Sequence, residues 1–313
     1  MTRLIVKRLL WSVPLLLIAS ALSFVLLSLA SGNPAAVILG PTASAAQLRQ
    51  LTAQLGLNDP IWVQYWHWLD AALHGNLGTS LIDGQPVTTM LAPRVTISLT
   101  LVLGATVGAS VLGVTLGVLA AIRGGPSGRV LEVTSVFGFA IPDFVLGLVL
   151  IEALAVAARV FPASGFVSFF QSPDAWLKSL VLPWTALGLG VMTIVAVQTR
   201  DAMREALRSP FIRVLEANGI SRRSVLFKHA LRSAAIPLVT VVGIVVVALL
   251  GGSVLIESVF ALPGLGSALA TAATQHDIPV VQGVVLYFTL IVVAVNLLLD
   301  VVYGLLNPRV RAA

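Results

Sequence analysis

The sequence contains no cysteine, so disulfides, zinc–thiolate centres and thiol chemistry are excluded. Charge is scarce too: Asp, Glu, Lys and Arg make up 10% of the 313 residues, where a soluble domain carries about 25%. No Gly-Lys pair occurs, which removes the P-loop. There is no His-Glu-x-x-His, and His67, His74, His229 and His276 do not fall at metal-binding spacing. The expectation is a chain with no catalytic residues and no cofactor or metal of its own.

What is present is apolar. Hydrophobic residues are 58% of the chain and mean hydropathy is +0.99, the signature of a polytopic membrane protein. Six apolar runs, near 9–30, 95–122, 133–158, 179–199, 234–256 and 278–299, reach the length of about 20 residues that crosses a bilayer. The first follows Arg3, Lys7 and Arg8, as in a signal peptide. Its apolar part is too long for one and no cleavage site follows, so it reads as a retained span. No repeat and no low-complexity linker divides the chain. The expected fold is all-α, with six transmembrane helices in one membrane domain, 1–313.

Fifteen of the nineteen basic residues fall on one side if the N-terminus is cytoplasmic, leaving Arg49, Arg94, Arg159 and Lys178 outside. By the positive-inside rule both termini are cytoplasmic. The segment 31–94 is then one sizeable extracytoplasmic piece, read as a lid or docking collar. Within it, Gln47–Leu55 reads as a short helix closed by Gly56. Asn58-Asp59-Pro60 starts another, with Ile61, Tyr65, Trp68, Leu69 and Leu73 on one face. Trp62, Trp66 and Trp68 equally fit an interfacial belt. Gly75, Gly78 and Gly84 mark turns back to the membrane. In the second run, Gly104-x-x-x-Gly108 and Gly113-x-x-x-Gly117 predict close helix packing. Pro142, Pro183 and Pro237 predict kinks or broken ends.

The densest polar stretch is 200–233, flanked by apolar runs. It holds Arg200, Arg204, Arg208, Arg213, Arg222, Arg223, Lys228 and Arg232 against Asp201, Glu205 and Glu216. Ser209 as N-cap and Pro210 in the first turn start a helix. Gly219 supplies a left-handed C′ position, Ile220 tucks back, and Ser221 caps a second helix running through His229. The predicted object is a short basic helical hairpin that a partner can grip. Inside the spans, Asp143 beside Pro142 is the candidate for lining an aqueous path, with Glu152 in the same run. Glu257 and Asp300 lie near span ends, where an interfacial position accounts for them. Asn296 is a buried amide suited to bonding another helix. Gly252-Ser253-Val254 is a serine without a histidine inside the membrane, which argues against a membrane protease.

The chain resembles the permease subunits of dipeptide and oligopeptide ABC importers nearly end to end. The matching stretches are Gln54-Leu-Gly-Leu-Asn-Asp-Pro60, Gly75-Asn-Leu-Gly-Thr-Ser80, Ile141-Pro-Asp-Phe-Val-Leu-Gly147 and Phe161-Pro-Ala-Ser-Gly165. They continue with Glu216-Ala-Asn-Gly-Ile-Ser221, His229-Ala-Leu-Arg-Ser-Ala-Ala-Ile-Pro237, Glu257-Ser-Val-Phe-Ala-Leu-Pro-Gly-Leu-Gly266, Pro279-Val-Val-Gln-Gly283 and Asn307-Pro-Arg309. Arg213-Val-Leu stands where importers generally have Glu-Ala-Ala, a departure that this peptide branch tolerates.

The resemblance implies a pathway formed with a second, usually non-identical permease. Two cytoplasmic ATPases that use ATP and Mg would drive it, and an extracytoplasmic binding protein would deliver cargo. It makes 200–233 the coupling loop, with Pro210, Phe211, Arg213, Glu216, Ala217, Gly219, Ile220, Ser221, Arg222 and Arg223 at the ATPase contact. Asp143, Glu257 and Asn296 are expected along the translocation path. Glutathione, nickel chelates and haem are carried by similar systems and stand as alternative cargoes. Two rivals from other classes are weaker. Leu215–His229 mimics helix-turn-helix spacing, but two flanking spans keep it from a DNA groove, so no nucleic acid is expected. An ion-coupled secondary transporter would show inverted repeats, which are not evident.

Overall fold

A computed structural model describes residues 2–29, 34–40, 42–123 and 141–306. Residues 133–140 of the third apolar run, Arg129, and the terminal Asn307, Arg309 and Arg311 lie outside the described residues. The described chain is helical, with one isolated bridge, Thr79 to Pro86, in place of any strand. In order come α1 (Thr2–Leu29), α2 (Pro34–Leu39), α3 (Ala45–Gln54), α4 (Ile61–Leu73), α5 (Val87–Arg123) and α6 (Asp143–Leu150). The π-helical turns Ile151–Ala157 prolong α6. There follow α7 (Pro173–Arg208), α8 (Pro210–Ala217), α9 (Arg222–Val259), α10 (Leu265–Thr274) and α11 (Ile278–Leu306).

Among the described residues, five helices are long and apolar enough to cross a membrane: α1 from Arg8, α5, α7, α9 and α11 to Gly304. Several run well past their apolar runs, because caps and prolines set the ends and hydropathy does not. Ser172 accepts from the Ala175 N–H at 3.3 Å ahead of Pro173 and opens α7 six residues before the apolar run 179–199 begins. Pro210 closes it, since the residue before a proline avoids α geometry. Ser209 is extended there, at φ −67° and ψ 147°. Arg200, Arg204 and Arg208 are therefore helical continuations of a span and not loop.

The chain divides into two compact units. The first is built chiefly of Leu99–Leu262 with the chain from Ala294, the second of Arg3–Ser98 with Pro263–Val293. In the first unit α5 meets α7 over glycines. A Cβ on Gly113 would lie 2.7 Å from the Met192 carbonyl, and one on Gly117 2.5 Å from that of Ala196. Gly104 leaves room for the Trp184 indole, whose Nε1 donates to the Thr100 carbonyl at 3.1 Å. Gly108, by contrast, faces open space.

The second unit has its own core of Leu77, Val87, Leu91, Leu265, Ala268, Ala272, Val280, Val281 and Val284. The capping box of Ser44 and Gln47 opens α3. Gly56, Gly75, Gly78 and Gly84 all have the positive φ expected of turn glycines. The predicted inner face of α4 holds for Ile61, Tyr65, Trp68 and Leu69, which are half-buried, but Leu73 is exposed. Its neighbour Ala72 takes the place against the core instead. The turn after α4 is clamped by buried Asp277: Ser80 Oγ donates to Oδ2 at 2.5 Å and the Leu81 N–H to Oδ1 at 3.2 Å.

Candidate functional site

The basic stretch folds as a helical hairpin in the first unit. α8 is strongly amphipathic. Ile212 is buried with Met203, Ala206, Val225, Ala230 and Ala234, and Leu215 and Ile220 pack on the same cluster. Two backbone bonds close α8: Ile220 N–H donates to the Leu215 carbonyl at 3.1 Å, and Gly219 N–H to that of Glu216 at 3.0 Å. Together with φ +76° at Gly219, this is a Schellman ending, fixed by backbone bonds and an apolar contact. α9 then starts at Arg222 and becomes π-helical over Val225–Ala230 before entering its long apolar part.

Two details differ from the sequence reading. Ser209 and Ser221 occupy N-cap positions, yet neither side chain caps. The Ser209 hydroxyl bonds back to the Ala206 carbonyl at 2.5 Å. Arg200 is also not part of the accessible cationic face. It is buried on α7, and its Nε pairs with Asp201 at 2.8 Å.

The remaining predicted contacts are brought together on one outer surface. Pro210, Phe211, Arg213, Glu216, Ala217, Gly219, Ser221, Arg222 and Arg223 are exposed, and Ile220 is half-buried beneath them. Sequence reasoning missed Val214 and Phe227, two large apolar side chains that are exposed on this surface. Their signal was available: each stands among charged neighbours on the side opposite the buried Ile212 and Val225. A rigid surface combining exposed aliphatic, aromatic and cationic groups can bind a partner and transmit force.

The path candidates sit on three helices of the same unit. Asp143 is half-buried in the first turn of α6, its Oδ2 3.7 Å from where a Cβ on Gly252 of α9 would be. Asn296 is half-buried on α11. Glu257 is completely buried near the end of α9, which corrects the interfacial reading. The chain turns just after it, where the Leu262 N–H donates to the Glu257 carbonyl at 2.8 Å. Ser253 is likewise buried, its hydroxyl spent on the Leu250 carbonyl at 2.9 Å.

A polar junction in the second unit also escaped the sequence. Buried Gln282, with its amide oriented to satisfy both ends, donates to the Ser20 carbonyl at 3.2 Å and accepts from the Phe24 N–H at 2.7 Å. It thereby ties α11 to α1 through backbone groups one helical turn apart.

Comparison with known proteins agrees with this architecture. Residues 109–312 match the family model of the binding-protein-dependent transport system inner membrane component. Residues 1–102 match the N-terminal model of the same membrane components. A probable peptide ABC transporter permease protein of Sinorhizobium fredii is 39% identical over 313 residues, covering 98% of each chain. A putative peptide transport system permease protein of Brucella abortus is 38% identical over 312 residues, 99% of each. The glutathione transport system permease protein GsiC of Salmonella typhi is 36% identical, again over 99% of each. With both family models matched in order and relatives aligned end to end, the chain belongs to the binding-protein-dependent transport system inner membrane components, as a multi-pass protein of the cell membrane.

Proposed function

We propose that this chain is a transmembrane permease subunit of an ATP-driven importer that moves di- and oligopeptides into the cytoplasm. The observation that carries the mechanism is the α8 hairpin: rigid, exposed, and continuous with the spans α7 and α9. Two separate ATPases would hold ATP and Mg and grip this hairpin through Phe211, Arg213, Val214, Glu216, Arg222 and Arg223. Closure of the ATPases pushes the hairpin, tilts α7 and α9, and switches the pathway between its two openings. Backbone locking at Gly219 makes the push effective, because a hinge there would absorb it.

In this reading the chain crosses the membrane six times, the sixth span being completed by the third apolar run. Both termini and 200–233 face the cytoplasm, and 31–94 faces outward toward a binding protein. A second, non-identical permease completes the conduit, with Asp143 and Asn296 on the path; Glu257, expected there too, is completely buried. Peptide cargo follows from the likeness to the peptide permeases of Sinorhizobium fredii and Brucella abortus. The glutathione permease favours a second reading, a peptide-like cargo, since glutathione is itself a small modified peptide. An ion-coupled mechanism gains no support from any of these features.

Uptake of labelled di- and tripeptides, with and without excess glutathione, into cells lacking this chain tests the proposal. Restoration of peptide uptake by the wild-type chain, dependent on ATP, is expected. Restored uptake that persists without ATP and collapses with the ion gradient contradicts it.

A further inference from the structure

The start of α4 separates two cavities of the second unit, about 240 and 200 Å³ in volume, that the proposed mechanism leaves unused. Leu57, Asp59, Gln64 and Ile278 line both. Leu27 and Ile61 wall the first, Phe24 and Trp68 the second. Each is thus a recess with an apolar wall beside a shared polar divider. Leu27 belongs to the last turn of α1, so the recesses lie where that span passes into the segment 31–94.

The divider is held in place and offers acceptors. The Gln64 amide nitrogen donates to the Asp59 carbonyl at 2.7 Å and to that of Leu57 at 3.4 Å. The Asp59 N–H donates in turn to the Gly56 carbonyl at 3.2 Å, across a glycine at φ +67°. With its nitrogen spent, Gln64 has only Oε1 left to offer. Asp59 is exposed, and among the described residues its carboxylate makes no hydrogen bond or ion pair. The hydroxyls of the first cavity, Ser28 and Thr52, donate to carbonyls of their own helices at 2.8 Å.

A carboxylate beside an amide oxygen calls for a charged donor. The full negative charge of Asp59 outweighs the roughly half charge of opposite sign at the start of a helix. A hard metal ion fits poorly: it asks for about six oxygens, and no group of three metal-ligating side chains occurs among the described residues. An ammonium fits, and the apolar walls suit a hydrocarbon side chain next to it. The first residue of a short apolar peptide combines the two. Building on the reading that the cargo is peptide, we propose that the start of α4 holds the amino terminus of the arriving peptide. Asp59 and Gln64 Oε1 accept from its ammonium, and its first side chain enters one of the two recesses.

The test uses the assembled transporter in lipid nanodiscs and leucyl-leucine carrying a photoreactive diazirine in its first side chain. Irradiation should place the adduct on residues 24–27, 55–64 or 278–279, as read by mass spectrometry. Unlabelled leucyl-leucine should compete about tenfold better than its N-acetyl form, because acetylation removes the charged donor. Asp59→Asn should lower the adduct by a similar factor, and Asp59→Glu should retain it. Uptake of leucyl-leucine by the wild-type transporter, measured alongside, separates this site from the cargo reading beneath it. Uptake without an adduct in these segments overturns the site and leaves peptide cargo standing. So does an adduct that the N-acetyl peptide competes equally well, or that Asp59→Asn leaves unchanged. Absence of both uptake and adduct overturns the two together.

Discussion

Gly219 carries the hairpin on one dihedral angle. Its φ of +76° is open to glycine, whereas a β-branched residue there costs about 1–2 kcal/mol. No neighbouring atom lies within 4 Å of a Cβ at that position, so backbone conformation alone is at stake. Gly219→Val should leave the protein in the membrane at wild-type level and abolish uptake. Membrane immunoblots together with peptide uptake check this, and unimpaired uptake counts against a rigid coupling element. Asp277 is the counterpart in the second unit. Removing its carboxylate strands Ser80 and Leu81, and a hydrogen bond to a charged group is worth about 1.5–3 kcal/mol. Asp277→Ala should lower the thermal midpoint in detergent and open residues 81–86 to limited proteolysis. Asp277 did not stand out in the sequence, and Gln282 did so only as part of the stretch Pro279–Gly283, with no role attached. A lone polar residue at the mouth of an apolar run looks the same whether it meets water or a partner 196 residues away, as Asp277 meets Leu81.

The helices were legible where local chemistry fixes them and less so where packing does. Gly56 and Gly219 ended α3 and α8 as their positions required, because a left-handed residue is a property of the local chain. Helix lengths were not legible: the apolar run 179–199 lies inside a helix of 36 residues, since hydropathy reports the lipid and not the helix. The glycine pairs of α5 were read as one signal but differ in use. Gly104→Ala drives a methyl into the Trp184 indole and Gly108→Ala into open space. Overpacking costs about 1–3 kcal/mol, so the first variant should lose thermal stability in detergent and the second should match wild type. The charges of α9 are legible as a surface. Reversing Arg222 and Arg223 to Glu should weaken capture of the ATPase subunits, with the deficit largest at low salt, where exposed charges are least screened. Pull-downs across a salt series that show no difference would exclude these two side chains from the contact.

For the whole molecule, composition alone decided the class, and the family models from residue 1 to 102 and from 109 to 312 agree with it. The division into two compact units was not visible. Each unit draws on segments far apart in the chain, and no linker or composition change marks the border. The burial of Glu257 was hidden as well, because a carboxylate near the end of an apolar run reads the same whether it meets water or packed protein.

The central claim is that the basic hairpin faces the cytoplasm and is gripped there by the ATPases. Arg222→Cys, in a chain otherwise free of cysteine, measures it most directly with a membrane-impermeant maleimide. The account predicts labelling in inside-out vesicles stripped of ATPase, protection when ATPase is restored, and none in intact spheroplasts. Labelling of intact spheroplasts would contradict it.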